Sequence, residues 1–311
     1  MRLAAIDIGT NSTKTTVADA AEDGTLSVVA EDSDVTRLGE GVDAAGRLGD
    51  APMARTLDAV VRFAEAARAL GAETVLGAGT SALRDAANGP DFIQAVKDRA
   101  GVDVQIITGD REAQFAYAAV RSDASLNIPA GVPLLVFDIG GGSTELILGD
   151  SSGVGRFQSL DIGAVRLTER FLHSDPPTAY ELQQATDYAR AAFETFLRPD
   201  APLLVAGIGG TALNIAAVTQ GQAHPDTDAL HGQVLPHAAV ASALSRFAAL
   251  PLSERRTLPG LEPKRADVII AGALILDQLL TYFNADQFLL SVRGLRYGLL
   301  AEYAKKAPSP Q

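Results

Sequence analysis

The sequence predicts a duplicated α/β protein, and three observations carry that expectation. Residues 6–17 read IDIGTNSTKTTV and residues 137–148 read FDIGGGSTELIL. Asp, Ile, Gly, Ser and Thr recur at the same offsets, 131 residues apart, which marks a repeated structural unit. Each copy follows an apolar run (Leu3–Ile6 and Leu134–Phe137) and precedes a β-rich segment, so each reads as strand, glycine turn, strand. Apolar positions at helical spacing alternate with short strand-like runs in both halves.

The elements follow in order. Met53, Leu57, Val60, Val61, Ala64 and Leu70 fall at helical spacing over 53–70, bracketed by Pro52 and Gly71. A strand is expected near Val75–Ala78, a helix near 90–100, a strand near Val104–Ile107 and a helix over 110–121. In the second half, helices are expected near 163–172, 178–197, 211–219, 236–248 and 263–283. Strands are expected near 157–161, 203–207 and 287–291. Residues 122–133 (SDASLNIPAGVP) read as a linker. The division is therefore 1–124 and 125–311, each half carrying one glycine loop. The Pro-containing tail after Lys306 reads as a frayed terminus.

Composition narrows the function classes. The chain has 311 residues, 47% of them hydrophobic, which suits two domains with cores of their own. It has no cysteine, so disulfides, thiolate metal sites and thiol nucleophiles are excluded. Asp7 interrupts the first apolar run too early for a signal peptide. The longest apolar stretch, Val268–Leu276, ends at Asp277 and is too short to span a bilayer. A cytoplasmic protein with no membrane partner is the expectation. With 26 basic and 38 acidic residues the net charge is −12, which disfavours nucleic acid as a partner. A polyanionic substrate must then be held by local backbone donors, a few cations and a bound metal ion.

The two loops differ from better-known phosphate loops. Neither ends in the Lys-Ser/Thr that opens a helix in a Walker loop, and neither runs into a helix as a dinucleotide fingerprint does. Each is a hairpin turn whose N–H groups can line a phosphate concavity. Glycine lets the backbone approach closely. Ser12, Thr13, Ser143 and Thr144 offer hydroxyls, and Asp7 and Asp138 stand at strand ends where they can hold Mg²⁺. The competing reading is a pair of ordinary hairpin turns with local Asp hydrogen bonds.

Beyond these loops the chain resembles the exopolyphosphatase/guanosine pentaphosphate phosphohydrolase family of the actin-like superfamily. The matching segments are DIGTNST (7–13), TSALRDA (80–86), ITGDREA (107–113), DIGGGSTE (138–145), LDIGAVRLTERF (160–171), GIGGTA (207–212), HGQ (231–233), RADVIIAG (265–272) and SVRGLRYG (291–298). Their order covers about residues 1–300. The resemblance implies two ribonuclease-H-like domains around an interdomain cleft. It also implies hydrolysis of a terminal phosphoanhydride bond. The closing motif departs from the family pattern, with Val292 and Tyr297 at two positions that are acidic there. Losing those charges would either ease polyanion binding or reflect neutral packing.

The resemblance also places roles. Glu112 matches the catalytic glutamate and is expected to act as general base, with Glu145 as partner carboxylate. Left to itself, Glu112 reads as a first-turn helix glutamate favoured by the dipole. Phosphate binding is expected from Gly9, Thr10, Asn11, Ser12, Thr13 and Lys14, and from Gly140, Gly141, Gly142, Ser143 and Thr144. Arg84, Arg265 and the third glycine turn at Gly209 and Gly210, after Gly207, are further phosphate candidates. Their bland readings are solvated charge and a plain strand-to-helix turn. Mg²⁺, or Mn²⁺ in its place, is expected on Asp138, Glu145 and, less strongly, Asp7. His231 is expected to be structural, because the four histidines show no metal-ligand spacing.

The expected activity is exopolyphosphatase, with guanosine pentaphosphate 5′-phosphohydrolase as the alternative. A sugar or acetate kinase and a non-catalytic polyphosphate or alarmone sensor rank lower. A homodimer is compatible with the sequence, which defines no interface.

Overall fold

The first apolar run becomes the centre of a five-stranded sheet in the computed structural model, which describes residues 1–199 and 202–306. The tail expected to fray after Lys306 lies outside the described residues. Strands β1 (Arg2–Ile8), β2 (Thr13–Ala20), β3 (Leu26–Asp34), β4 (Thr74–Gly79) and β5 (Val104–Ile106) lie in the order β3-β2-β1-β4-β5. The first three are antiparallel, and β4 and β5 add parallel. Side chains alternate across β1. Ile6 and Ile8 enter a cluster with Leu57, Val60 and Phe63 of helix Asp50–Ala69. Leu3 and Ala5 enter another cluster with Leu300 and Ala304 of helix Leu295–Lys306. Each buried Leu, Val or Phe contributes about 1.5–3 kcal/mol relative to exposure.

The chain divides into two compact units: Met1–Ala119 with the described part of Arg293–Gln311, and Val120–Val292. The last helix thus packs with the first unit, whereas the sequence reading placed everything after 124 in the second half. The reason is the second face of the first sheet, which this helix covers. Gly298 lets the same helix approach helix Gly109–Arg121, since a Cβ there would sit 2.3 Å from the Phe115 carbonyl oxygen.

The second unit repeats the plan. Strands β6 (Leu134–Ile139), β7 (Thr144–Asp150), β8 (Gly153–Leu160), β9 (Leu204–Ile208), β10 (Val234–Pro236) and β11 (Gln287–Leu290) lie in the order β10-β11-β9-β6-β7-β8. Read from β8, this is the first sheet's order with one strand added. Both hairpins close at equivalent pairs, Ile8 opposite Thr13 and Ile139 opposite Thr144. Register shifts also recur, after Val17 and after Leu148, the same position in the two copies.

The core of the second unit gathers around helix Ile269–Phe283, which packs on helices Ala164–Phe171, Ala179–Phe193 and His237–Ala249. The helix expected over 263–283 is broken at its start. Pro263–Arg265 forms a 3₁₀ turn and the α-helix begins at Ile269. The buried Arg255 braces this break, its Nε donating to the Ala266 carbonyl at 3.0 Å. The helix expected over 178–197 starts on the Thr178–Glu181 capping box and ends at Phe193. In the expected linker, Asp123 and Leu126 are buried and residues 124–126 form a 3₁₀ turn. Among the described residues, no helix is long and apolar enough to cross a membrane.

Candidate functional site

Both hairpin loops are tied back by their own carbonyls. In the first, the Gly9 N–H donates to the Ser12 carbonyl at 3.0 Å. A Cβ at Gly9 would stand 2.9 Å from that oxygen, which accounts for glycine there. The N–H groups of Arg37 and Gly39 donate to the carbonyls of Asn11 and Thr10, each at 2.9 Å. In the second loop the Gly140 N–H donates to Ser143 O at 3.0 Å. The N–H groups of Ala164 and Val165 donate to Gly140 O and Gly141 O, each at 2.9 Å. A trans peptide points its N–H opposite to its C=O. With the carbonyls turned onto the protein, the amides of Asn11, Ser12, Gly141 and Gly142 point the other way, the polarity an anion needs.

Some loop hydroxyls serve the fold. Thr13 Oγ1 lies 2.9 Å from Thr36 Oγ1, and Thr13 is fully buried. Thr144 Oγ1 donates to Ile162 O at 2.6 Å and is equally buried. Ser143 Oγ donates to Glu145 Oε1 at 2.7 Å. A hydroxyl has one proton. In this structure the hydroxyls of Thr144 and Ser143 are directed to protein acceptors, and Thr13 braces its loop against Thr36.

Strand register sets the charged groups. Directly opposed residues of an antiparallel pair share a face, with Cβ atoms about 4.5–5.5 Å apart. Asp7 stands opposite Lys14, and Lys14 opposite Ser33. At the equivalent places, Asp138 stands opposite Glu145, and Glu145 opposite Ser159. The first hairpin thus presents a cation beside its aspartate and the second presents two carboxylates. Glu145 is 3% exposed and accepts hydrogen bonds at Oε1 from Ser143 and, at 2.8 Å, from Ser159.

The third glycine turn joins this second group. Gly209, at φ +85°, leads from β9 into helix Gly209–Thr219. A Cβ on it would lie 2.2 Å from Asp138 Oδ1, and one on Gly210 would lie 2.5 Å from the guanidinium carbon of Arg265. Arg265 is buried, and its Nε donates to Glu262 Oε2 at 2.9 Å. Asn214 closes the ring. Its Nδ2 donates to Gly210 O at 2.9 Å, and its Oδ1 accepts from Glu262 N–H at 2.7 Å. The structure brings Asp138, Gly209, Gly210 and Arg265 together, as candidates drawn from three separate sequence motifs.

In the first unit, Glu112 sits in the first turn of helix Gly109–Arg121 with its side chain 15% exposed. Arg84 Nη1 is 3.8 Å from Glu112 Oε2 and donates to Ile107 O at 2.9 Å. Neighbouring Arg111 turns to Glu302 and covers the Phe115 ring, 4.5 Å from its centroid.

Oxygen donors suited to Mg²⁺ are present in the Asp138–Glu145 pair. Mg²⁺ is held by one or two carboxylates, the rest of its shell being water and substrate oxygen. Among the described residues, no three or more His, Cys, Asp or Glu side chains gather into a metal cluster. Two like charges on adjacent strands favour a cation.

His231 ties three parts of the second unit. Its Nε2 lies 3.1 Å from Asp123 Oδ2 and 3.0 Å from Ser125 Oγ, and its Nδ1 accepts from Val292 N–H at 3.3 Å. Tyr297 is buried under Arg293, and burial, with Glu31 alongside, pushes its hydroxyl pKa up, so it stays neutral. Its place in the closing motif is one of packing. Sequence reasoning missed Ser159, Asn214 and Glu262. Ser159 lies outside every glycine motif, and only pairing with β7 reveals it.

Residues 16–307 match the Ppx/GppA phosphatase family. Exopolyphosphatase 2 of Mycobacterium tuberculosis is 37% identical over 290 residues, covering 89% of each chain. A guanosine-5'-triphosphate,3'-diphosphate pyrophosphatase of Photobacterium profundum is 29% identical and matches 97% of this chain but 59% of its own length. A solved Ppx/GppA enzyme of Aquifex aeolicus superposes with a TM-score of 0.80 at 34% identity, covering 97% and 99% of the two chains. An exopolyphosphatase of Cytophaga hutchinsonii shares the fold over the full length of both chains, with a TM-score of 0.87 at 24% identity.

Proposed function

Because the chain belongs to the Ppx/GppA phosphatase family, we propose that it is an exopolyphosphatase releasing terminal orthophosphate from inorganic polyphosphate. The hydrolase class follows from its relatives. The choice of polyphosphate is supported by the higher identity to the mycobacterial exopolyphosphatase, 37% against 29% for the guanosine pyrophosphatase.

Water attacks the terminal phosphorus and gives a proton to the Glu112 carboxylate. The bridging P–O bond breaks, leaving orthophosphate and a chain shorter by one unit. Arg84 stands beside Glu112 and offers its guanidinium to phosphoryl oxygens. The amides of both loops, Lys14 and Arg265 hold further phosphate. Asp138 and Glu145 would hold Mg²⁺ or Mn²⁺, with Asp7 a weaker candidate. Such an ion supplies positive charge against the phosphoryl oxygens.

The single observation that carries this reading is the Asp138–Glu145 pair, a doubly negative patch beside a loop that presents N–H groups to an anion. Phosphate release from polyphosphate and from guanosine pentaphosphate, with and without Mg²⁺, tests it. Faster kcat/KM on the pentaphosphate would replace the substrate, and turnover in excess chelator would remove the metal. ATP consumption only with a sugar or carboxylate acceptor would indicate a kinase.

A further inference from the structure

We propose that Ser159 is a positioning residue for Glu145, an inference that rests on the reading of Glu145 as a catalytic carboxylate. Ser159 lies near the end of β8, opposite Glu145 on β7. Its Oγ donates to Glu145 Oε1 at 2.8 Å, while Ser143 Oγ donates to the same oxygen at 2.7 Å. The two donors come from different places, one from the glycine loop and one from the outer strand of the sheet. Their convergence on one oxygen fixes the plane of the carboxylate and hence the direction of Oε2.

Glu145 needs this bracket. It is almost wholly buried, and its neighbour in the same row is Asp138. A buried carboxylate keeps one orientation only when donors satisfy it. Without them its carboxyl group rotates to find other partners. Lys14, the equivalent residue of the first hairpin, is a cation, so the matching row there has a different need. Ser159 thus acts on the reaction through Glu145 and need not touch substrate.

Steady-state phosphate release from polyphosphate with Mg²⁺ tests this on the wild-type protein and on S159A, S159T, E145Q and S159A/E145Q. S159A should lower kcat about tenfold, the size expected for one hydrogen bond to a charged group, with KM within about twofold. S159T keeps the hydroxyl and should restore kcat. In the E145Q background, S159A should have no further effect, because coupled residues are not additive. The proposal is overturned if S159A keeps wild-type kcat, if S159T is as slow as S159A, or if S159A costs the same with and without E145Q. Wild-type turnover by E145Q would remove the role of Glu145 itself, and this proposal with it. If S159A does not fold, S159C, a weaker donor of similar size, replaces it with the same expected loss.

Discussion

Arg84 Nη1 lies 3.8 Å from Glu112 Oε2 while donating to the Ile107 carbonyl at 2.9 Å. The candidate base and a candidate phosphate ligand are thus neighbours within one unit, and the carbonyl bond holds the guanidinium in place. The pairing sets a cation beside the carboxylate that is proposed to accept the proton.

Replacing Glu112 by Gln keeps the shape and removes the base. E112Q should lower kcat by about 10²–10⁴ and leave polyphosphate binding nearly unchanged. Single-turnover phosphate release together with equilibrium binding checks both halves. Unchanged turnover would remove Glu112 from the mechanism.

Lys14 distinguishes the first hairpin from the second. K14E would copy the acidic pair of the second hairpin into the first and set two carboxylates on one face. KM for polyphosphate should rise by about tenfold or more, since a charged contact is worth about 1.5–3 kcal/mol. K14R should stay near wild type. A KM for K14E equal to wild type would exclude Lys14 from substrate binding.

Gly210 leaves space for Arg265. In G210A the new methyl group would meet the guanidinium carbon at 2.5 Å, so Arg265 must move. G210A and R265A should raise KM to similar extents, and the double variant should be no worse than either single one. Additive effects would show that the contact does not matter for binding.

Glu181 makes stability depend on pH. Its carboxylate, in the capping box of helix Ala179–Phe193, is pulled down from 4.5 to about 2, first by the Thr178 N–H, and also by the Thr178 hydroxyl, the His173 N–H and the Ser174 hydroxyl. A lowered pKa in the folded state stabilises above the unfolded value. The contribution is therefore complete above pH 4.5 and disappears as the pH falls towards about 2. Melting curves of wild type and E181A should differ at neutral pH and converge across that window. A constant difference down to the lower limit would contradict the assignment.

Much of the candidate site was legible because it is local. The glycine loops, Asp7, Asp138 and the Gly209–Gly210 turn each lie in a short motif whose residue types state their chemistry, whereas Glu112 was singled out by the family resemblance of its segment. The hairpins were legible because a strand, a glycine turn and a second strand are contiguous in the chain. The polar edge strand β3 was not, since Val28 and Val29 are consecutive and break the alternation. Helix Leu295–Lys306 was also missed, and its contacts are with strands near the other end of the chain.

The sequence alone determined that this protein is built from two related α/β halves, each with one phosphate-type loop, because the repeat is covalent information. Only the tertiary structure decided which groups act together. Strand register put Glu145 between Asp138 and Ser159 and put Lys14 beside Asp7. Packing brought Arg265 onto Gly210 and spent the Thr144 proton on Ile162. These relations depend on which strands pair and which face is buried. Such choices are settled by burial and hydrogen bonding across the whole unit, and no local run of residues encodes them.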